Sequence, residues 1–252
     1  MRSLYTTIPV MLCKYAILNR KTNHLKFYIY LKVMASGHLK YDNSSYSAWA
    51  SDICMSERWT KNTFKWFIKK GWVTINNKQK SLRVIGYKQL VRITNIEQCQ
   101  SAVIWEEDDF ENFKAFCCAG IITYYMNRKR FSDRKRLPVS IMGGTNTSSN
   151  SYPKGYYEMP LEYLASCLDV SKSSAYNFKA KAIDGKFIKR KRRIEFVTDS
   201  DGNKLPREAY EVYLKNYPEF AQRLRRGKLY LKIVFPDLLY SSLKTKRKRL
   251  KV

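Results

Sequence analysis

The chain has 252 residues, of which 48 are Lys or Arg and 21 are Asp or Glu, so its formal net charge at pH 7 is +27. Hydrophobic residues make up 44% of the sequence and aromatic residues 14%, a composition that excludes a disordered chain and can build one or two cores. The excess of positive charge favours a polyanionic partner. Nucleic acid comes first, a merely solvated basic surface second and an anionic membrane surface third.

The sequence predicts neither a membrane-spanning helix nor a metal or cofactor site. No apolar run approaches the ~20 residues that a spanning helix needs. The short apolar stretch near the N-terminus runs into Lys14 with no clear cleavage site, so we interpret it as a folded segment. The 6 cysteines contain no C-x-x-C pair, and His24 and His38 have no zinc-module spacing. We therefore expect reduced core cysteines, no cofactor and a cytoplasmic location.

Two helices are predicted early in the chain. Residues 22–36 place apolar side chains at helical spacing, and Thr22 or Asn23 is expected to cap this helix. Residues 45–54 predict a second, shorter helix with Ser45 as its cap.

A third helix and a hairpin follow. Ser56 is expected to begin the helix as its N-cap, and Gly71 to end it. The β-rich runs WVTI and SLRVI are joined by NNKQK, with Asn-Asn at the turn, and this pattern predicts a β-hairpin.

The order of three helices and a hairpin resembles the winged helix-turn-helix superfamily. The resemblance is closest in the third helix, where a capping serine, small or β-branched core positions, a large apolar residue and a glycine precede a strand. The residues at these positions are Ser56, Thr60, Phe64, Phe67, Gly71, Trp72 and Val73. Because positions 60, 64 and 67 lie on one helix face and fill the core, the opposite face is free to enter a DNA groove.

The same pattern occurs again in the second half of the chain. Residues 109–127 predict a long amphipathic helix, and residues 160–168 a second helix with Pro160 in its first turn. The third helix carries, in order, Ser171, Ala175, Phe178, Ala182 and Gly185, with one residue fewer between serine and glycine than in the first copy. A strand KFI follows, and the runs IEFVT and LYLKIVF are expected to form the wing.

Together the two copies predict an α+β fold of two winged-helix domains in tandem. The first domain spans residues 1–105, the second spans 106–243, and a basic tail follows at 244–252. The second domain also contains a linker at 143–155 and a helical insertion within its wing at 206–226. Between the copies lie the β-prone runs LVRIT and AVIW, so we expect an ordered connection.

Polar positions on the third helices and the wings are candidate DNA contacts. Arg and Asn can form bidentate hydrogen bonds with guanine and adenine, whereas lysines more often reach phosphates. The first domain offers Arg58, Trp59, Lys61, Asn62, Lys65 and Lys69 on its helix, and Lys78, Lys80 and Arg83 on its wing. The second offers Lys172, Ser173, Ser174, Tyr176, Asn177 and Lys181 on its helix, and Lys189, Arg190, Lys191, Arg192 and Arg193 on the strand after it. Trp59 is equally compatible with the core, a domain contact or a thymine methyl, and a solvated cationic face is the alternative for the helices.

Two further basic runs lie at 128–136 and 244–251, and six of the eight residues of the second run are Lys or Arg. This tail is compatible with a nuclear import signal, a phosphate-binding arm or a disordered terminus.

The sequence predicts sequence-specific binding of double-stranded DNA without catalysis. It lacks an H-x-H motif, a Walker loop and histidines near a candidate tyrosine nucleophile, although no spacing argues for or against a carboxylate nuclease. A transcriptional regulator is the first hypothesis, and a replication initiator of a plasmid, phage or mobile element is the second. An RNA-binding or structural nucleoprotein subunit is the third. The sequence leaves open whether copies of the protein associate on DNA.

Overall fold

The computed structural model describes residues 5–34, 38–42, 44–76, 78–96, 101–106, 110–136, 153–196 and 232–247. Within these ranges the chain forms eight helices and nine strands, and the strands build three antiparallel sheets. The predicted α+β class is confirmed. The predicted insertion at 206–226 and most of the predicted linker at 143–155 lie outside the described residues.

The chain opens with a strand and a helix and continues into a first unit of three helices and three strands. The opening elements are β1 (Tyr5–Pro9) and α1 (Val10–Leu18), and the first unit contains α2 (Thr22–Met34), β2 (His38–Lys40), α3 (Ser45–Asp52), α4 (Glu57–Lys69), β3 (Val73–Asn76) and β4 (Ser81–Val84). In its sheet, β4 lies between β2 and β3. The predicted hairpin is present as β3 and β4, whereas the three-residue β2 is too short to show a period of two and was not predicted.

A second unit repeats the element order of the first. After α5 (Tyr87–Ile93) and β5 (Ser101–Glu106) come α6 (Phe113–Arg136), β6 (Tyr157–Glu158), α7 (Leu161–Leu168), α8 (Lys172–Asp184), β7 (Ile188–Phe196) and β8 (Lys232–Ser241), and a last strand, β9 (Thr245–Arg247), follows the unit. In the second sheet β8 lies between β6 and β7, the same strand order as in the first. Each unit is therefore a helix, a strand, two helices and two strands, with the last strand in the middle of the sheet.

The core of the first unit is built on the buried face of α4. The hydroxyl of Ser56 accepts a hydrogen bond from the backbone N–H of Trp59 at 3.3 Å, which caps the helix as predicted. Thr60, Phe64 and Phe67 are buried at helical spacing, and Trp72 and Val73 are buried after the turn. Gly71 makes this turn with a φ of +69°, a left-handed conformation that glycine adopts without strain.

Three local predictions were wrong in detail. Helix α2 begins at Thr22, so neither Thr22 nor Asn23 is its N-cap, and the hydroxyl of Thr22 donates to the carbonyl of Ala16 at 3.4 Å. The N-cap of α3 is Ser44 instead of Ser45, because the carboxylate of Asp42 accepts hydrogen bonds from the N–H groups of both serines. Most of the β-prone run LVRIT lies in the helix α5, whose Leu90 is fully buried. The AVIW run forms part of β5, as predicted.

Helix α6, the first helix of the second unit, also contacts the first part of the chain. It packs against α1 and α2 as well as against α8, and every residue from 115 to 122 is buried. The prediction of an amphipathic helix was therefore wrong, because this part of α6 is enclosed all round. Lys14 of α1 adds a polar link, since its ammonium donates to the hydroxyl of Tyr125 at 3.2 Å and to the carbonyl of Cys167 in α7 at 2.9 Å.

Strand β5 lies in a sheet whose other strands, β1 and β9, are far apart in the sequence. It lies between β1 and β9 and pairs antiparallel with each. Val103 of β5 is fully buried, and a β-carbon built on Gly120 of α6 would lie 2.8 Å from its Cγ2 atom. The predicted domain boundary between residues 105 and 106 falls within this strand.

The cysteines meet the expected core role in part. Cys13, Cys117 and Cys118 are buried where α1 packs against α6, and burial raises the pKa of Cys118 to about 12. Cys167 is half-buried, whereas Cys54 is exposed, so the prediction was wrong for Cys54. Cys99 lies outside the described residues.

The exit of α8 differs from that of α4 in the position of its glycine. The left-handed residue after α8 is Lys186, with a φ of +64°, whereas Gly185 has an ordinary φ of −73°. Lys186 lies as far from its capping serine as Gly71 does, so the two turns correspond and the glycine is displaced by one residue. Gly185 is required for packing, because a β-carbon there would lie 2.5 Å from the Cβ atom of Ala115 in α6.

Gly185→Ala is expected to lower the free energy of unfolding by about 1–3 kcal/mol, because the added methyl overlaps a buried helix that cannot move aside. Lys186→Gly is expected to change it by less than about 1 kcal/mol, since relief of the left-handed strain offsets the greater entropy of the unfolded chain. Urea unfolding of both variants measures the two values. A larger loss for Lys186→Gly than for Gly185→Ala would contradict this assignment.

Candidate nucleic-acid interface

The exposed face of α4 lies opposite the face that fills the core. All the predicted contact residues of this helix except Trp59 are exposed, namely Arg58, Lys61, Asn62, Lys65 and Lys69. The ammonium of Lys61 pairs with Glu57 at 2.5 Å, and both side chains remain about half exposed. Exposed pairs of this kind contribute little to stability, so Lys61 can exchange its partner at small cost.

Trp59 does not share this face. Its ring is half-buried, with its centroid 5.6 Å from that of His24 and 6.3 Å from that of Phe27. Burial, and secondarily the charge of Lys21, lowers the pKa of His24 to about 4. His24 is therefore neutral at pH 7, and the structure places Trp59 in an uncharged aromatic cluster.

The first hairpin carries its cations on exposed positions. Lys78, Lys80 and Arg83 are all exposed. Asn76 orders the turn, because its side-chain oxygen accepts the N–H of Gln79 at 3.3 Å and its amide donates to the Gln79 side chain at 3.1 Å. The three cations therefore project from a defined turn and its strand.

The exposed face of α8 is less basic and carries an aromatic side chain. Ser173, Tyr176, Asn177 and Lys181 are exposed, and Tyr176 has an exposed fraction of 48%. Lys172 is also exposed and pairs with Glu162 at 3.1 Å. Hydrogen bonding to its own backbone N–H, followed by Lys172, lowers the pKa of Glu162.

Ser174 differs from its neighbours because it belongs to the helix cap. Its N–H donates to the hydroxyl of Ser171 at 3.2 Å, and the two hydroxyls lie 3.0 Å apart. The side chain is half-buried, so the structure does not bring it to the exposed face with Asn177.

The basic residues of β7 are divided between two environments. Lys189, Lys191 and Arg192 are exposed and make no ion pair within the described part of the chain. Arg190 and Arg193 are half-buried: Arg190 lies 4.0 Å from the carboxylate of Asp237, and Arg193 lies 3.7 Å from that of Glu158. Of the five predicted contacts on this strand, three are available to a ligand and two are engaged within the fold.

A bulge separates these two environments. Lys191 pairs with Leu238 and Arg193 with Phe235, so Arg192 alone faces both Pro236 and Asp237 of β8. A bulge tolerates proline within a sheet and redirects nearby side chains. The predicted strand KFI and the predicted wing strand IEFVT both overlap one strand, β7, whereas β8 continues past the end of LYLKIVF, through Pro236, to Ser241.

A buried ion pair joins α8 to β8. The ammonium of Lys179 lies 2.8 Å from the carboxylate of Asp237, and their side chains are 8% and 17% exposed. Counted from the capping serine, Lys179 corresponds to Phe64 of α4, whereas the predicted core residue Phe178 is only half-buried. The helical spacing of Ala175 and Ala182 places residue 179 on the same buried face of α8. Because residue 179 is a lysine, the sequence did not suggest that it is buried.

Other site types are not found in the parts of the chain that the structure describes. No group of three or more His, Cys, Asp or Glu side chains there could hold a metal ion. None of the helices described is both long enough and apolar enough to cross a membrane.

The candidate interface is thus an exposed polar face on each of the two corresponding helices, α4 and α8, with exposed cations on the hairpins that follow them. Comparison of the chain with protein-family models, with curated protein sequences and with solved structures gives no match.

Proposed function

We propose that this protein binds double-stranded DNA sequence-specifically through two winged-helix units and acts as a transcriptional regulator, not as an enzyme. The observation that carries the proposal is the repeat itself. The order of three helices and a hairpin, on which the resemblance to winged helices rests, occurs twice with the same strand order. In both units the third helix keeps an exposed polar face opposite the core.

The charge of the two surfaces supports a polyanionic ligand. Across the exposed face of α4 and its hairpin the candidate contacts include six lysines or arginines with no ion pair among the described residues, namely Arg58, Lys65, Lys69, Lys78, Lys80 and Arg83. Such a cluster supplies the phosphate contacts that dominate affinity for DNA. A solvated surface alone gives no reason to keep so many like charges together, because they repel one another.

Base recognition is assigned to the side chains that carry hydrogen-bonding information. Arg58 and Asn62 lie one turn apart on the exposed face of α4 and are suited to guanine and adenine. In the second unit Asn177 and the exposed ring of Tyr176 take this role, with Tyr176 suited to an apolar contact with a base edge. The exposed lysines of the two helices and the exposed cations of β7 are assigned to contacts with phosphates of the DNA backbone.

Single substitutions separate the two roles. Arg58→Ala or Asn62→Ala is expected to weaken binding to the preferred site by roughly 1–3 kcal/mol and to relax the preference at one or two base pairs. Lys65→Ala or Lys191→Ala is expected to weaken binding to all DNA sequences equally. Each is also expected to make the slope of log K against log salt shallower by about one unit.

The measurement is selection of bound sequences from a random duplex pool, followed by titration of the selected site with each variant. If Arg58→Ala and Lys191→Ala gave the same pattern, the assignment of α4 to base recognition would be wrong. The selected site also identifies the role, since an inverted pair fits a dimeric regulator and a cluster of direct repeats would instead support a replication initiator.

A further inference from the structure

Helices α4 and α8 correspond position by position when each is counted from its capping serine. Ser56 and Ser171 each accept the backbone N–H of the residue three positions further on. The positions four, eight and eleven residues after the serine are buried in both helices, as Thr60, Phe64 and Phe67 in α4 and as Ala175, Lys179 and Ala182 in α8. Because the same positions face the core, equal distances from the serine mark equivalent positions in the two units.

An exposed asparagine occupies the same position in both helices. Asn62 and Asn177 each lie six residues after the capping serine, and both side chains are exposed. Asparagine is a poor residue for the interior of a helix, because its side chain competes for backbone hydrogen bonds. Helix stability therefore gives no reason for an asparagine at this position in both units. A side-chain amide can form two hydrogen bonds with adenine, so both units can recognise the same base from this position.

The first two residues of the helix differ between the units. Helix α4 begins with Glu57 and Arg58, whereas α8 begins with Lys172 and Ser173, and all four side chains are exposed. The N-terminal residues of a recognition helix are those that contact base edges. A carboxylate accepts a hydrogen bond from the amino group of cytosine and arginine donates two to guanine, whereas lysine favours guanine or a phosphate and serine has little preference. The two helices therefore present different hydrogen-bonding groups at this end.

Glu57 is an acidic side chain within a basic surface. The other acidic residues in the described part of the first unit have structural partners: Asp42 accepts backbone N–H groups at the start of α3, and Asp52 accepts the hydroxyl of Tyr30 at 2.5 Å. The carboxylate of Glu57 pairs with Lys61 while both side chains stay about half exposed, and such a pair contributes little to stability. Because phosphates repel a carboxylate, a hydrogen bond to cytosine gives a reason for Glu57 to lie on this surface.

We propose that the two units recognise unlike half-sites. The half-sites share an adenine, bound by Asn62 in one and by Asn177 in the other, and they differ at the bases contacted by the start of each helix, where Glu57 selects cytosine in the first half-site. This inference rests on the proposed DNA binding and defines its target. Unlike half-sites impose one orientation on the chain, because in the reversed orientation each helix faces the bases that suit the other.

The test exchanges the start of α4 for that of α8 with Glu57→Lys, Arg58→Ser in the full chain, followed by selection of bound sequences from a random duplex pool. The first half-site of this variant should match the second at the bases contacted by these positions, and its affinity for the original site should fall by about 10- to 100-fold. Asn62→Ala and Asn177→Ala should each relax the adenine of one half-site and leave the other unchanged. Glu57→Asp keeps the charge that favours the helix dipole but shortens the side chain, so the cytosine preference should be lost while the thermal unfolding midpoint stays the same.

The outcomes distinguish unlike half-sites from the function on which they rest. Identical half-sites for the unaltered chain, a selected sequence that the exchange leaves unchanged, or one adenine relaxed by both asparagine variants would overturn the inference while DNA binding stands. A cytosine preference that survives Glu57→Asp would overturn the role of Glu57 and leave it to the helix dipole. A pool in which the unaltered chain enriches no sequence overturns sequence-specific DNA binding itself.

Discussion

Inserting five base pairs between the two half-sites of the selected DNA is expected to weaken binding by roughly 10²–10⁴-fold, the gain that covalent linkage of two binding units provides. Helix α6 packs against α8 and against α2, whose Phe27 stacks on Phe67 of α4. We therefore expect α4 and α8 to keep a fixed relative position. If the proposed function is correct, we expect a single chain to read two adjacent major-groove segments about one helical turn, ~34 Å, apart. Five extra base pairs rotate one segment to the far side of the duplex.

The measurement compares the affinity of the full chain for the unaltered and the lengthened site. The double variant Arg58→Ala, Asn62→Ala is the control. Because its first unit no longer recognises bases, it gains little from binding through two units, so the insertion should weaken its binding much less. Separate halves are unsuitable, since a cut between residues 105 and 106 divides β5 and exposes the buried face of α6. An affinity that the insertion leaves unchanged would mean that the units do not act together on one duplex.

Lys179→Met is expected to lower the free energy of unfolding by about 3–5 kcal/mol, the cost of leaving one member of a buried ion pair uncompensated. Among the described residues, the carboxylate of Asp237 would then keep an ion pair with Arg190 alone, at 4.0 Å. Because the pair joins α8 to the bulge in β8, its loss loosens the helix that we assign to the second half-site. Urea unfolding of the full chain measures the effect.

The double variant Lys179→Met, Asp237→Leu is the matched control. Replacing both partners with apolar side chains of similar size removes the unpaired charge, so most of the stability should return. A single variant as stable as the unaltered chain, or a double variant no better than the single one, would show that the pair does not hold α8 in place.

The helix caps and the core of α4 could be predicted from the sequence because their signals are local. Ser56 and Ser171 each accept the N–H of the residue three positions on, as their sequence positions indicated. The buried positions of α4 follow from helical spacing alone. In the same way, the exposure of Arg58, Asn62 and Lys65 followed from lying opposite that face.

What could not be predicted depends on neighbours distant in the chain. Helix α1 is apolar nearly all round because α6 covers it, so it has no stripe to recognise. From the sequence alone, Lys179 is expected at the surface. Its buried position depends on an ion pair with Asp237, which is 58 residues away in the chain. Pro236 indicates the end of a strand, and only the bulge opposite Arg192 allows β8 to continue.

The left-handed turn after α8 could not be predicted for the same reason, because it depends on a contact with a helix distant in the chain. A glycine near the end of a helix usually marks the left-handed position. Here Gly185 is fixed by its contact with Ala115 of α6, and Lys186 takes the left-handed conformation instead. The sequence alone cannot separate a glycine needed for φ from one needed for space.

The salt dependence of binding is the sharpest test of nucleic acid as the ligand of this protein. If the two units together neutralise roughly eight phosphates, log K for the selected duplex should fall against log salt with a slope of about −7. This corresponds to a loss of about 10⁴-fold in affinity between about 50 and about 200 mM salt. We expect this steep slope for the full chain, together with a preferred sequence. A slope near zero would contradict nucleic acid as the ligand of these surfaces.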